Sequence, residues 1–231
     1  MKEFKSGMES RVINGVPAAT NQFPYQAFLF GLRSMSDIVE CSGVLISPRW
    51  LLTAAQCTKG YIVSYISLGS SYMNDADIRI EGRVFISHEN YSTSYLNNDI
   101  GLIDLEQELD LSGKCFIKSP FQHFFIDFLG PSSLYFGNVT VISNEECTEY
   151  YGSKAVTSAT ICTKGPSTGE LNMCRGDQGG PLTGWNENGE PVLLGLVSFG
   201  DSRGCDTGFP SGYIRPDHYI DWINDITGLS F

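Results

Sequence analysis

The stretch Cys174-Arg175-Gly176-Asp177-Gln178-Gly179-Gly180-Pro181 sets three glycines and a proline between a cysteine and a run of strand-forming residues. It reads as a turn signal that leads directly into a β-hairpin. Asn188-Gly189 separates Pro181-Leu182-Thr183 from Val192-Leu193-Leu194-Gly195-Leu196-Val197, which is a strong short-range turn signal between two strands. Working towards the N-terminus, further short apolar or alternating runs recur with turn residues between them: Asn138–Ile142, Ile100–Leu105, Tyr61–Ile66, Gly43–Ile46 and Gln26–Phe30. That rhythm predicts an all-β chain, a barrel or sandwich, rather than helices crossing a parallel sheet. Helix is expected mainly near the C-terminus, where a cap at Asp217 precedes Tyr219, Ile223 and Ile226 at helical spacing. The aromatic-rich stretch Phe116–Phe128, which contains Phe121, Phe124 and Phe125, is expected to form core strand and connector rather than a binding site.

At 231 residues and 42% hydrophobic content the chain suits one large β unit or two smaller ones sharing an interface. The net charge of -11 argues against nucleic acid and anionic membrane as partners and would steer a basic protein towards the surface. No apolar run approaches the roughly 18 to 20 residues needed to span a bilayer, and Met1–Gly7 is too polar for a signal peptide. Seven cysteines exceed what a reducing compartment favours, and no Cys-x-x-Cys pair suggests zinc. Sequons at Asn90 and Asn138 are compatible with passage through a secretory pathway. A secreted, extracellular protein whose leader has been removed is the expectation.

Thr53-Ala54-Ala55-Gln56-Cys57, Asn98-Asp99-Ile100-Gly101-Leu102 and the Cys174–Pro181 stretch occur in the order and spacing of the three catalytic segments of the chymotrypsin-family serine proteases, which they resemble. Arg11-Val12-Ile13-Asn14-Gly15 is similar to that family's activation junction, and Asp221-Trp222-Ile223 to its terminal helix. Gly208–Tyr213 and Thr227–Ser230 look most like arthropod digestive members. The resemblance implies two antiparallel six-stranded β-barrels with a short C-terminal helix. Residues 1–11 would be a propeptide-like segment and 12–231 the protease-like domain, with barrels over about 12–110 and 111–231.

In that family a histidine follows Thr-Ala-Ala and a serine follows Gly-Asp, and here both positions hold glutamine, Gln56 and Gln178. Only Asp99 remains of the triad. A carboxamide has no titrating group to take a proton from a nucleophile, and it cannot itself become the nucleophile. The sequence therefore predicts a protein that is not an enzyme, in which Gln56 supplies an amide donor to a buried Asp99. The longer Gln178 side chain would project into the oxyanion-hole-like loop formed with Gly176, leaving the cleft partly self-filled. None of the three histidines, His88, His123 and His218, lies in a segment that could replace the missing base.

The same resemblance carries further expectations. Cleavage after Arg11 would free Val12 to pair with Asp177, either as a switch or as an inherited junction without present use. Asn172 would form a neutral pocket base, with Ser198, Gly200 and Ser211 in the pocket. Cys41 with Cys57, Cys147 with Cys162, and Cys174 with Cys205 match three family disulfides. Cys115 is left as a buried thiol or as the link of a disulfide-bonded dimer. The stretch between Asp99 and Cys147 is shorter than the family pattern, which reshapes one rim of the cleft. Neither metal nor organic cofactor is implied; Asp75, Asp77 and Glu81 are expected to be solvated charge rather than a calcium loop. The functional expectation is a pseudoprotease that binds extracellular proteins as decoy, cofactor or inhibitor. Against it stand an endopeptidase with a relocated nucleophile and a relic or storage protein with no specific partner.

Overall fold

The computed structural model describes residues 12–71, 76–111, 133–166 and 172–231. Two short strands open the chain, β1 (Val12–Ile13) and β2 (Val16–Pro17). Seven strands of the N-terminal half follow: β3 (Gln26–Ser34), β4 (Asp37–Leu45), β5 (Trp50–Thr53), β6 (Val63–Leu68), β7 (Ile78–Gly82), β8 (Val84–Ser87) and β9 (Gly101–Asp104). They form one antiparallel sheet in the order β7-β6-β3-β4-β5-β9-β8. The C-terminal half contributes β10 (Tyr135–Phe136), β11 (Thr140–Ile142), β12 (Thr160–Lys164), β13 (Asn172–Met173), β14 (Pro181–Trp185), β15 (Pro191–Phe199) and β16 (Ser211–Ile214). Five of these make the second antiparallel sheet, ordered β11-β12-β16-β15-β14, while β1 pairs with β13 and β2 with β10.

The all-β expectation and the hairpin at Asn188-Gly189 hold: β14 and β15 pair antiparallel across that turn, with Gly189 at φ 75°. The strand count differs from six and six. In the first half, Arg83 alone interrupts what would otherwise be one strand, so β7 and β8 count separately and occupy opposite ends of the sheet order. In the second half five of the described strands share one sheet, while β10 and β13 pair with β2 and β1; Phe116–Phe128 and Cys115 lie outside the described residues.

Alternation along the strands builds two kinds of core. In β5 and β9, Leu51 and Ile103 enter an inner cluster with Leu29, Ile66 and Leu68, while Leu52 and Leu102 face the other way. Those outward residues join Ile100, Leu196, Ile214 and Ile223 in a cluster that binds the first sheet to the second and to the C-terminal helix. A period of two thus buries both faces of the same strands. The seam between the halves is apolar, and the polar site described below lies beside it.

Two helices complete the fold. α1 (Asn144–Tyr151) begins where the Ser143 hydroxyl accepts a hydrogen bond from the Glu146 N–H at 3.1 Å and ends at Gly152, with φ 77°. This helix was not expected from apolar spacing, although Ser143 followed three residues later by Glu146 is a helix-start signature. α2 (Ile220–Thr227) follows a 3₁₀ turn over Pro216–Tyr219, so the α-helix starts three residues beyond the expected cap at Asp217. Proline at the front of that turn supplies the fixed φ there, and no side chain caps α2. No helix among the described residues is long and apolar enough to cross a membrane.

The three expected disulfides are formed: Cys41–Cys57, Cys147–Cys162 and Cys174–Cys205. The Cys174–Pro181 loop is held at Gly179 between the second sheet, which it hydrogen-bonds, and the first, which it abuts. The Gly179 N–H donates to Val197 O at 2.8 Å, its φ is +82°, and an added Cβ would stand 2.1 Å from Thr53 Oγ1 and 2.4 Å from Ser42 O. Gly179→Ala is therefore expected to lower unfolding free energy by about 2 to 5 kcal/mol through backbone strain and overpacking. Gly60→Ala has a similar φ of +79° but no atom within 4 Å, and is expected to cost only about 1 kcal/mol. Denaturant titration of both variants checks the contrast; equal losses would show that the loop is not seated on the sheet.

Candidate functional site

Asp99 has no exposed surface, and three short hydrogen bonds meet its carboxylate. The Gln56 backbone N–H donates to Oδ1 at 2.9 Å, the Gln56 Nε2 donates to Oδ2 at 2.6 Å, and the Ser198 hydroxyl donates to Oδ2 at 2.7 Å. The second proton of the Gln56 amide goes to Ser198 O at 2.8 Å. Local turns deliver these groups. The 3₁₀ turn Ala55–Cys57 presents Gln56 towards the carboxylate. Asn98, at φ 55°, turns the chain so that Asp99 points inward, and Tyr219 Oη donates to its side-chain oxygen at 3.0 Å. Arg33 Nη2 donates to Gln56 O at 2.9 Å from the other side.

Every donor to Asp99 is neutral. Burial pushes its carboxyl up to about 6, against the opposing pull of the bonds from Ser198 and Gln56. Ser198, expected in the pocket, belongs to this network through both its hydroxyl and its carbonyl. Its hydroxyl points to Asp99 and its carbonyl to the Gln56 amide.

On the opposite side of the cleft, Gln178 folds back on its own loop. Its Oε1 accepts from the Gly176 N–H at 3.0 Å, while its backbone carbonyl accepts from Ser42 N at 2.8 Å and lies 3.5 Å from Cys57 Sγ. The Ser42 hydroxyl donates to Gly176 O at 2.9 Å. Ser42 therefore helps to form the site although sequence reading passed over it. Asp177, almost fully buried, accepts from the Cys174 N–H at 2.7 Å.

The expected pocket base is also satisfied from within. Asn172 Nδ2 donates to Phe209 O at 3.0 Å, and its Oδ1 accepts from the Ser211 hydroxyl and from Met173 N. Gly200 faces Met173: a Cβ added there would meet Met173 Cε at 3.3 Å. Met173 was not singled out from sequence, and its position directly after Asn172 was the available signal. Val12 pairs with Met173 through β1 and β13, and Val12 and Asp177 both line a cavity of about 510 Å³ together with Asn172, Leu182 and Tyr213. Arg11 lies outside the described residues.

The remaining candidates are dispersed. Asn90 and Asn138 are exposed. The His88 ring packs against Tyr219 and Trp222, and its Nδ1 accepts from the Asn90 N–H. His218 is exposed, and His123 lies outside the described residues. Asp77 is exposed, Glu81 pairs with Arg83 at 2.7 Å, and Asp75 lies outside the described residues. Among the described residues no group of three or more His, Cys, Asp or Glu is placed to hold a metal ion.

The buried carboxylate has a sign-specific consequence. A folded-state value near 6 against an ordinary 3.8 means that the native state holds the Asp99 proton more firmly than the unfolded chain. The resulting penalty, roughly 3 kcal/mol, is full above about pH 6 and is relieved as pH falls towards 4. Asp104 works in the opposite direction, since its hydrogen-bonded pairing with Arg49 lowers its value. The difference between the parent protein and Asp99→Asn isolates the buried group. Parent stability relative to the variant is expected to rise by up to about 3 kcal/mol between about pH 7 and 4. Thermal unfolding across that range checks it, and a constant difference would refute the buried charge.

Comparison with known proteins places this geometry. The trypsin family matches residues 12–116 and 126–223. A brachyurin from Leptuca pugilator is 33% identical over 95% of this chain and all of its own length. A collagenase from Hypoderma lineatum is 31% identical over 96% of this chain and 90% of its own length. The solved structure of HL collagenase superposes with a TM-score of 0.78 at 28% identity, covering 95% of this chain and all of that one. The family match and the similarity to these relatives show that the chain belongs to the trypsin family of serine-protease homologues.

Proposed function

We propose that this chain is a secreted serine-protease homologue that does not cleave peptide bonds and acts by binding protein partners in an extracellular protease cascade, as decoy, cofactor or inhibitor. One observation carries the reading: the group hydrogen-bonded to the buried Asp99 is the Gln56 amide, and the side chain at the apex of the opposite loop is the Gln178 amide. Neither can take up a proton or attack a carbonyl near neutral pH. Two buried serines beside these groups have their hydroxyls engaged elsewhere. Ser198 is 2% exposed with its hydroxyl committed to Asp99, and Ser42 is 4% exposed with its hydroxyl committed to Gly176 O. The net charge of -11 favours a basic protein as the partner.

A second reading, that the chain is itself an endopeptidase, is favoured by its relatives, since brachyurin and collagenase are what the similar proteins are called. The two readings separate cleanly in one experiment. The protein, with its N-terminus at Val12, is incubated with an active-site fluorophosphonate and with a set of chromogenic peptides spanning basic, aromatic and aliphatic residues at the cleavage position. No labelling is expected, and turnover is expected about 10⁶-fold or more below that of an active family member. Stoichiometric labelling, or turnover comparable to an active relative, would establish the endopeptidase reading instead.

A further inference from the structure

Side chains hold the backbone of Gly176 at both its N–H and its carbonyl. Its carbonyl accepts from the Ser42 hydroxyl at 2.9 Å, and its N–H donates to Gln178 Oε1 at 3.0 Å. In the family this chain resembles, the corresponding N–H serves a substrate carbonyl, and a carboxamide oxygen is chemically such a carbonyl. The Gln178 side chain is attached to the loop it caps, so it occupies the donor without the loss of translational freedom that a separate ligand incurs. An incoming peptide must therefore displace a tethered acceptor and gains no hydrogen bond in the exchange.

We infer that the Gln178 carboxamide is a permanent internal ligand of the oxyanion site, closing it to the backbone carbonyl or C-terminal carboxylate of any extended peptide, so that a protein partner engages the rim rather than inserting a segment as a substrate would. The closure goes beyond the binding function proposed above and does not depend on which partner is bound. Gly176 keeps its internal acceptor whether or not a partner is ever found.

Amide exchange by NMR on protein labelled with [¹⁵N]glycine tests it. Gln178→Met keeps the length of the side chain but removes the acceptor, and exchange at the Gly176 amide is expected to quicken by about 2- to 12-fold, the equivalent of one hydrogen bond. In Gln178→Glu the new carboxylate retains the contact, so the Gly176 amide shift is expected to titrate with it. In the parent, acetyl-Ala-Ala-Pro-Leu with a free C-terminal carboxylate is expected to leave the Gly176 amide shift unmoved up to millimolar concentration. Any one of three results overturns the inference: unchanged Gly176 exchange in Gln178→Met, a Gly176 shift in Gln178→Glu that ignores pH, or a saturable shift in the parent with the peptide. Should Gln178→Met not fold, the parent decides alone, because exchange of Gly176 at the rate of an unstructured amide contradicts a bonded N–H.

Discussion

A carboxylate without exposed surface, answered only by neutral donors, is the constraint around which the cleft is arranged. Asp99 lies one residue before Ile100, a member of the apolar cluster that joins the two sheets to the C-terminal helix. Taking a charge out of water is costly unless every oxygen is hydrogen-bonded. Two donors from Gln56 and one from Ser198 converge beside the Ala55 backbone, and they come from segments 142 residues apart in sequence. The need to satisfy Asp99 therefore ties the Ala55–Cys57 turn of the first half to β15 of the second. Glutamine suits this task because its amide has two N–H groups, and both are used, one on Asp99 and one on Ser198 O.

The same logic extends across the cleft. Gln178 satisfies Gly176, Ser42 satisfies the carbonyl of that residue, and Asn172 is bonded to Phe209 O and Ser211. A site built to bind a peptide leaves donors and acceptors waiting for it, because unpaired groups are what reward the correct ligand. Here those polar groups find partners within the chain. Burial of internal hydrogen bonds in place of ligand-directed ones stabilises the unliganded protein and lowers what a substrate-like segment can gain on entry.

Much of this was legible in sequence because it rests on local pattern. Alternating apolar residues marked the strands, Asn188-Gly189 marked the hairpin, and the three motif segments located Gln56, Asp99 and Gln178. What escaped depends on side-chain direction or on partners distant along the chain. The Ser198 hydroxyl reaches Asp99 from β15 where the register of that strand with β16 shifts between Val197 and Phe199. Met173 meets Gly200 only because the disulfide-linked loops converge. α1 was missed for another reason: it buries little besides Cys147, and an amphipathic stripe is weak where only one residue faces the core. Its capping serine carried the information that its apolar spacing did not.

The arrangement of Gln56, Asp99 and Ser198 is held together by the energetics of its members. Removing the Asp99 carboxylate would strand the Gln56 N–H, the Gln56 amide and the Ser198 hydroxyl, each of which would lose its acceptor in a buried setting. Removing Gln56 would leave the carboxylate with fewer donors while still buried, which is the more damaging of the two changes. The members are thus coupled, and the free energy of any one depends on the presence of the others. Asp99 is thereby a polar fastener between the two β-sheets.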